Sequence, residues 1–212
     1  MAEAEVSPPL KVLILGHSFV RRATDYMETH NTMNNLSLSY STHDIQFISR
    51  PGCHARNLCN AFPQVRLIKP SLVFLDIGTN DLTVMSPDQL FTQVHEVARE
   101  LIQSCGVNRV VLLQVLPRTV HGRWGQPQPF QDKVARYNEL IKTNVYQNKL
   151  APMYAIPRLA ISFWFHKGFR QDIASLIVDG VHLNSTGLPL YIRSIKRAVL
   201  KFSPRVRFDL TH

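Results

Sequence analysis

No run of apolar residues in the 212-residue chain reaches the roughly 20 that a membrane-spanning helix needs. A spanning protein is therefore not expected. The first nine residues, Met1-Ala2-Glu3-Ala4-Glu5-Val6-Ser7-Pro8-Pro9, lack the basic start and apolar centre of a secretory signal and read as a short disordered leader. Cysteine is scarce. Cys53, Cys59 and Cys105 leave at least one thiol unpaired and show no metal-ligand spacing, which argues against a disulfide scaffold or a metal site and suits a reducing compartment, the cytoplasm or nucleus. Acidic side chains are in deficit, 15 against 24 Lys and Arg. The resulting charge of +9 suits a polyanionic neighbour such as nucleic acid or anionic lipid, and speaks to encounter rather than to reaction. Repeats, low-complexity tracts and linkers are missing as well, so residues 10–202 read as one domain followed by a tail over 203–212. With 45% apolar residues and 18% charged, the chain suffices for one α/β domain with a sizeable core.

What is present is an alternation of strands and helices. Lys11-Val12-Leu13-Ile14 is a buried-strand pattern that stops at Gly16-His17-Ser18, before a helix over about 19–30. Asp44–Ile48 alternates as a second strand, and Arg50-Pro51-Gly52 turns the chain into a helical stretch near 55–66. A third strand, Ser71–Asp76, leads into Ile77-Gly78-Thr79-Asn80-Asp81. Ser86-Pro87-Asp88-Gln89 is a capping box opening a helix with the stripe Leu90, Val94, Val97, Ala98 and Leu101. A fourth strand, Asn108–Val115, runs into a Gly/Pro/Gln-rich surface loop over 120–129. A helix near 131–147, a fifth strand around Met153-Tyr154-Ala155-Ile156 and a helix over 185–202 complete the pattern. Such alternation demands a parallel sheet with right-handed crossovers and helices on both faces, with the reactive site at the carboxyl ends of the strands.

Four polar loops map to that edge. Ser18 has two readings, an ordinary helix cap or a nucleophile. Serine attack needs a base for the hydroxyl proton and a carboxylate to orient that base. His182 and Asp179, three apart in Val178-Asp179-Gly180-Val181-His182, fill those roles. The oxyanion that forms needs donors, available from the backbone N–H of Ser18 and Gly52 and the amide of Asn80. Each residue alone is also a common cap or turn residue. Their order after the first three strands and before the last helix is not what unrelated turns produce.

Gly16-His17-Ser18, Gly52, Gly78-Thr79-Asn80-Asp81 and Asp179-Gly180-Val181-His182 together resemble the four blocks of the SGNH (GDSL-type) hydrolase superfamily, over about residues 10–202. The resemblance implies a flavodoxin-like three-layer α/β/α sandwich with a five-stranded parallel sheet. It implies cofactor-free and metal-free ester hydrolysis, with Ser18 as nucleophile, His182 as base and Asp179 as its orienter. Ser18, Gly52 and Asn80 are then the oxyanion donors. The expected function is that of a serine esterase acting through an acyl-enzyme on a carboxylic ester with a small acyl group such as acetyl. The chain departs from the family's Gly-Asp-Ser in carrying His17, a bulkier neighbour that would be cationic when protonated. That departure keeps open a catalytically silent module that binds nucleic acid or a protein partner through basic faces. The leaderless, basic form is also similar to esterase domains encoded by some retroelements.

Besides the triad and the oxyanion donors, His17, Arg118, Arg123 and Trp124 are candidates for holding substrate, and the loop with Arg118, His121, Arg123 and Trp124 would suit an acidic or glycan one. Phe163-Trp164-Phe165 reads as core packing rather than as an acyl pocket. On the terminal helix, Arg193, Lys196, Arg197 and Lys201 fall opposite the apolar stripe, with Arg205 and Arg207 following. They form either a solvated face or a phosphate-contacting one.

Overall fold

A computed structural model describes residues 7–119, 127–146, 156, 158–162, 169 and 172–203. Five strands, β1 (Leu10–Gly16), β2 (His43–Ser49), β3 (Leu72–Asp76), β4 (Arg109–Leu113) and β5 (Leu159–Ser162), form one parallel sheet in the order β2-β1-β3-β4-β5. This is the flavodoxin-like order, whose topological switch point lies between the first and third strands. Among the described residues five α-helices cover the sheet: α1 (Ser18–Thr29), α2 (Phe62–Ile68), α3 (Pro87–Gln103), α4 (Pro127–Ile141) and α5 (Gly187–Phe202).

The strands are apolar on both faces because both are covered. Leu13, Leu15, Val73, Leu75 and Leu112 pack with Val65 of α2, Leu90, Val94 and Leu101 of α3, and Val134 and Tyr137 of α4. The alternate residues Val12, Ile14, Phe74 and Val111 pack on the other face with Val20 and Ala23 of α1 and Tyr191, Ile195 and Val199 of α5. Gly16, which closes β1, must be glycine, since a Cβ there would lie 2.4 Å from the Asp76 carbonyl of β3. The two central strands can therefore approach closely where they deliver their loops.

Most boundaries agree with the sequence reading. The capping box at α3 is formed in both directions: Ser86 Oγ accepts from the Gln89 N–H at 3.2 Å, and Gln89 Oε1 accepts from the Ser86 N–H at 2.9 Å. Three expectations need correction. The fifth strand is Leu159–Ser162, paired with Val110–Leu113, and not Met153–Ile156. Both are short apolar runs that periodicity cannot tell apart. Ile161, at 3% exposure, fills the core that Ile156 only borders, and Met153–Ala155 lie outside the described residues. The helix expected over 55–66 is a 3-10 stretch, Ala55–Ala61, followed by α2. Pro63 has no N–H to continue an α-helix from upstream, so the α-helix begins around it. For the same reason Pro127 and Pro129 are accommodated in the first turn of α4 rather than in the preceding loop.

Candidate active site

The first question is what Ser18 does at the start of α1. It is not the cap. His17 occupies the N-cap, and its Nδ1 accepts from the Phe19 N–H at 3.4 Å. The Ser18 hydroxyl is left to meet His182, whose Nε2 lies 3.0 Å from Ser18 Oγ across 164 positions of sequence.

The loop that carries His182 is built around one carboxylate. Asp179 Oδ1 accepts from the N–H groups of Val181 (3.1 Å) and His182 (2.9 Å), an Asx-type arrangement that supports the left-handed backbone of Asp179, φ 53°. Its Oδ2 lies 2.9 Å from His182 Nδ1, and Arg22 of α1 reaches the same oxygen at 3.5 Å. Partial burial alone would raise the Asp179 pKa. The N–H and side chain of His182 and the N–H of Val181 outweigh it and hold the carboxyl below its usual range. With Asp179 charged, His182 is set to carry its proton on Nδ1 and present a bare Nε2 to Ser18.

The oxyanion candidates come from the next two loops. Arg50-Pro51-Gly52-Cys53 is a turn closed by Cys53 N–H donating to the Arg50 carbonyl at 3.0 Å, with proline second and Gly52 third at φ +72°, a conformation that favours glycine. The Arg50 N–H donates to the Gly16 carbonyl at 2.8 Å, which fixes this turn beside the end of β1. Among the described residues the Gly52 N–H has no acceptor, and the Ser18 N–H opens the helix, where intrahelical acceptors are lacking. Asn80 Nδ2 donates one hydrogen to the Cys53 carbonyl at 3.1 Å, which leaves its second for a ligand.

Two buried groups that the sequence reading did not use hold these loops together. Asp81, 0% exposed, accepts from the Ala55 N–H at 2.9 Å and so pins the second loop to the third. Asp76, at the end of β3, accepts from the Tyr191 hydroxyl at 2.5 Å and lies 3.7 Å from His17 Nε2. A charged residue closing an apolar strand, and a phenol within an apolar helix stripe, each needed a buried partner. That was the available signal.

His17 and Arg118 do not line the open site as expected, because they are 1% and 5% exposed. Burial, partly opposed by Asp76, lowers the His17 pKa and so favours a neutral ring beside Ser18. Arg118 instead braces the third loop. Its Nε donates to Thr79 Oγ1 (3.0 Å), and its Nη2 donates to the Thr79 carbonyl (2.8 Å) and to Asn80 Oδ1 (3.3 Å). Its guanidinium lies 4.8 Å from the Phe130 ring centroid, and Gln131 donates to its carbonyl. The Thr119 N–H donates to the Gly180 carbonyl at 3.0 Å, so the same segment also holds the acid–base loop.

His121, Arg123, Trp124, Phe163-Trp164-Phe165, Arg205 and Arg207 lie outside the described residues. On α5, Arg193, Arg197 and Lys201 are exposed, while Lys196 donates to the Ser37 carbonyl at 3.0 Å. Among the described residues no group of three or more His, Cys, Asp or Glu could hold a metal ion, and no helix is long and apolar enough to cross a membrane.

Residues 25–193 match the family model described as GDSL-like lipase/acylhydrolase. The chain belongs to that family. The match takes in Gly52, Asn80, Asp179 and His182 and begins after Ser18. A multidomain esterase of Ruminococcus flavefaciens is 29% identical over 125 residues, which is 58% of this chain and 15% of that protein. The chain thus spans about a seventh of that relative. Among solved structures, the GDSL-like lipase of Bacteroides thetaiotaomicron has a TM-score of 0.66 at 20% identity, over 91% of this chain and 88% of that one. A carbohydrate esterase family 3 protein of Talaromyces cellulolyticus has a TM-score of 0.60 at 19% identity, over 91% and 97%. At such identity these two share the fold. The GDSL fold places the switch-point loops after β1 and β3 at the candidate active site.

Proposed function

We propose that the protein is a serine esterase that hydrolyses carboxylic esters of small acyl groups such as acetyl through an acyl-enzyme, with no metal or cofactor. The observation that carries this reading is the run Ser18 Oγ to His182 Nε2 at 3.0 Å and His182 Nδ1 to Asp179 Oδ2 at 2.9 Å. A silent binding module has no need of that alignment.

In the reaction, His182 takes the Ser18 proton as Oγ forms a bond to the acyl carbon, and Asp179 stabilises the resulting imidazolium. The carbonyl π electrons move onto oxygen, where the N–H groups of Ser18 and Gly52 and the Asn80 amide would receive the charge. Collapse breaks the ester C–O bond, and His182 returns its proton to the departing alcohol. Water then attacks the acyl-enzyme with His182 again as base, which releases the carboxylic acid and restores the Ser18 hydroxyl.

The test uses short-chain aryl esters and a serine-directed phosphonate on the purified protein. The expected result is hydrolysis and labelling at Ser18, with both lost in Ser18→Ala and hydrolysis lost in His182→Ala while the circular dichroism spectra are retained. Undiminished hydrolysis in Ser18→Ala refutes the assignment.

A further inference from the structure

Beside the Gly52 turn lies a groove of about 640 Å³ whose lining includes Arg21, Arg50, Gly52, Asn57 and Asn60. Its walls are more polar than apolar. A long acyl chain would find only Pro51 and the half-buried Cys53 to pack against, so the groove does not suit fatty esters. Its position ties it to the chemistry, because it includes Gly52 itself and Arg21, one turn of α1 beyond Ser18. Gly52 thus borders both the candidate oxyanion site and this groove.

The charge of the groove is uneven. Arg21 is neutralised by Asp25, with Nε donating at 2.8 and 3.0 Å to its two carboxylate oxygens. Arg50 donates to the neutral Gln64 Oε1 at 2.8 Å and has no carboxylate partner among the described residues. Its main chain is anchored by the bond to Gly16, so the guanidinium springs from a fixed point two residues before Gly52. No acidic residue lines the groove, and the exposed amides of Asn57 and Asn60 add neutral donors. A planar fork with free donors, flanked by amides, matches the oxygens of an oxyanion.

Resting on the esterase reading, we propose that this groove selects esters that carry an oxyanionic group, a carboxylate or a phosphate, with Arg50 as its anchor. The probes are 4-acetoxybenzoate, 4-acetoxyphenyl phosphate and the neutral 4-acetoxybenzamide. At low salt, kcat/KM for at least one anionic ester exceeds that for the amide about five- to tenfold, the range of a partly exposed, charge-assisted contact. The ratio falls toward one in 1 M salt. It also collapses in Arg50→Gln and is retained in Arg193→Gln, which removes the same charge from α5. A gain largest for the phosphate assigns a phosphorylated substrate, and one confined to the benzoate assigns a carboxylate. Equal kcat/KM for all three esters overturns the proposal. If no ester is hydrolysed, the esterase reading falls and calorimetric titration of Ser18→Ala decides on the groove. Arg50-dependent binding of 4-acetoxybenzoate over the amide supports it, and equal or absent binding of both overturns it.

Discussion

Restoring the family's usual residue at position 17 should harm this protein. His17 is neutral and buried, with its Nε2 3.7 Å from Asp76, itself 4% exposed. In His17→Asp a second carboxylate enters that pocket. Two effects oppose each other. Aspartate is a strong helix N-cap and would accept from the Phe19 N–H better than the 3.4 Å contact of the imidazole, a gain of about 1 kcal/mol. Against it stand the desolvation of a carboxylate, several kcal/mol, and its repulsion by Asp76, so the charge effect wins by about 3 kcal/mol. For a chain of this size that lowers Tm by roughly 6–12 °C. The sign of the pH dependence follows. The carboxylate pair would hold a shared proton that the unfolded chain releases above about pH 4, so the penalty is full at pH 7 and shrinks as pH falls toward 4. Differential scanning calorimetry of parent and variant at pH 7 and pH 5 measures it, and adding Asp76→Asn should recover at least about 1 kcal/mol beyond additivity. A variant within about 2 °C of the parent at pH 7, or strictly additive changes, refutes the buried pairing.

Truncating Asn80 to alanine should lower kcat for an aryl acetate about 10²–10³-fold with a much smaller change in KM, since the donor acts on charge that develops during attack; a change confined to KM removes Asn80 from that role. In the parent, His17 and His43 both have pKa values lowered by burial, so below about pH 6.5 the unfolded chain binds protons that the folded chain refuses. Stability should therefore fall with acid by up to about 1.4 kcal/mol per pH unit for each group. Urea unfolding of His17→Asn/His43→Asn should show a flatter slope between pH 6.5 and 5, and an unchanged slope would locate the proton uptake elsewhere.

The sequence carried the first four strands and the candidate reacting groups because each is a local pattern. An apolar strand followed by a polar loop reads the same in one dimension as in three, and Asp-x-x-His closes within a single turn of chain. What it did not carry depends on partners remote in sequence. Nothing near Arg118 shows that its guanidinium is spent on Thr79 and Asn80, 39 and 38 positions away. It read as a substrate contact because it is charged and follows a strand. His17 read as an oddity beside the nucleophile until Asp76 and Tyr191 supplied the setting in which a neutral ring is the residue that fits. The fifth strand was misplaced for a related reason, since only the ladder with β4 distinguishes two apolar runs of equal length.

The 164 positions between Ser18 and His182 have a consequence for the chain as it is made. Ser18 belongs to the first helix, directly after β1, and emerges from a ribosome long before His182. Until then Ser18 is an ordinary alcohol at the start of a helix. The loop with Asp179 and His182 is followed within a few residues by α5, whose Tyr191, Ile195 and Val199 close the core over α1. Completion of the hydrophobic layer and arming of the serine thus fall at the same stage of synthesis. Under the proposed mechanism an unfinished or misfolded chain would hold its hydroxyl with no base to draw the proton, so reactivity itself would report that the domain has finished folding.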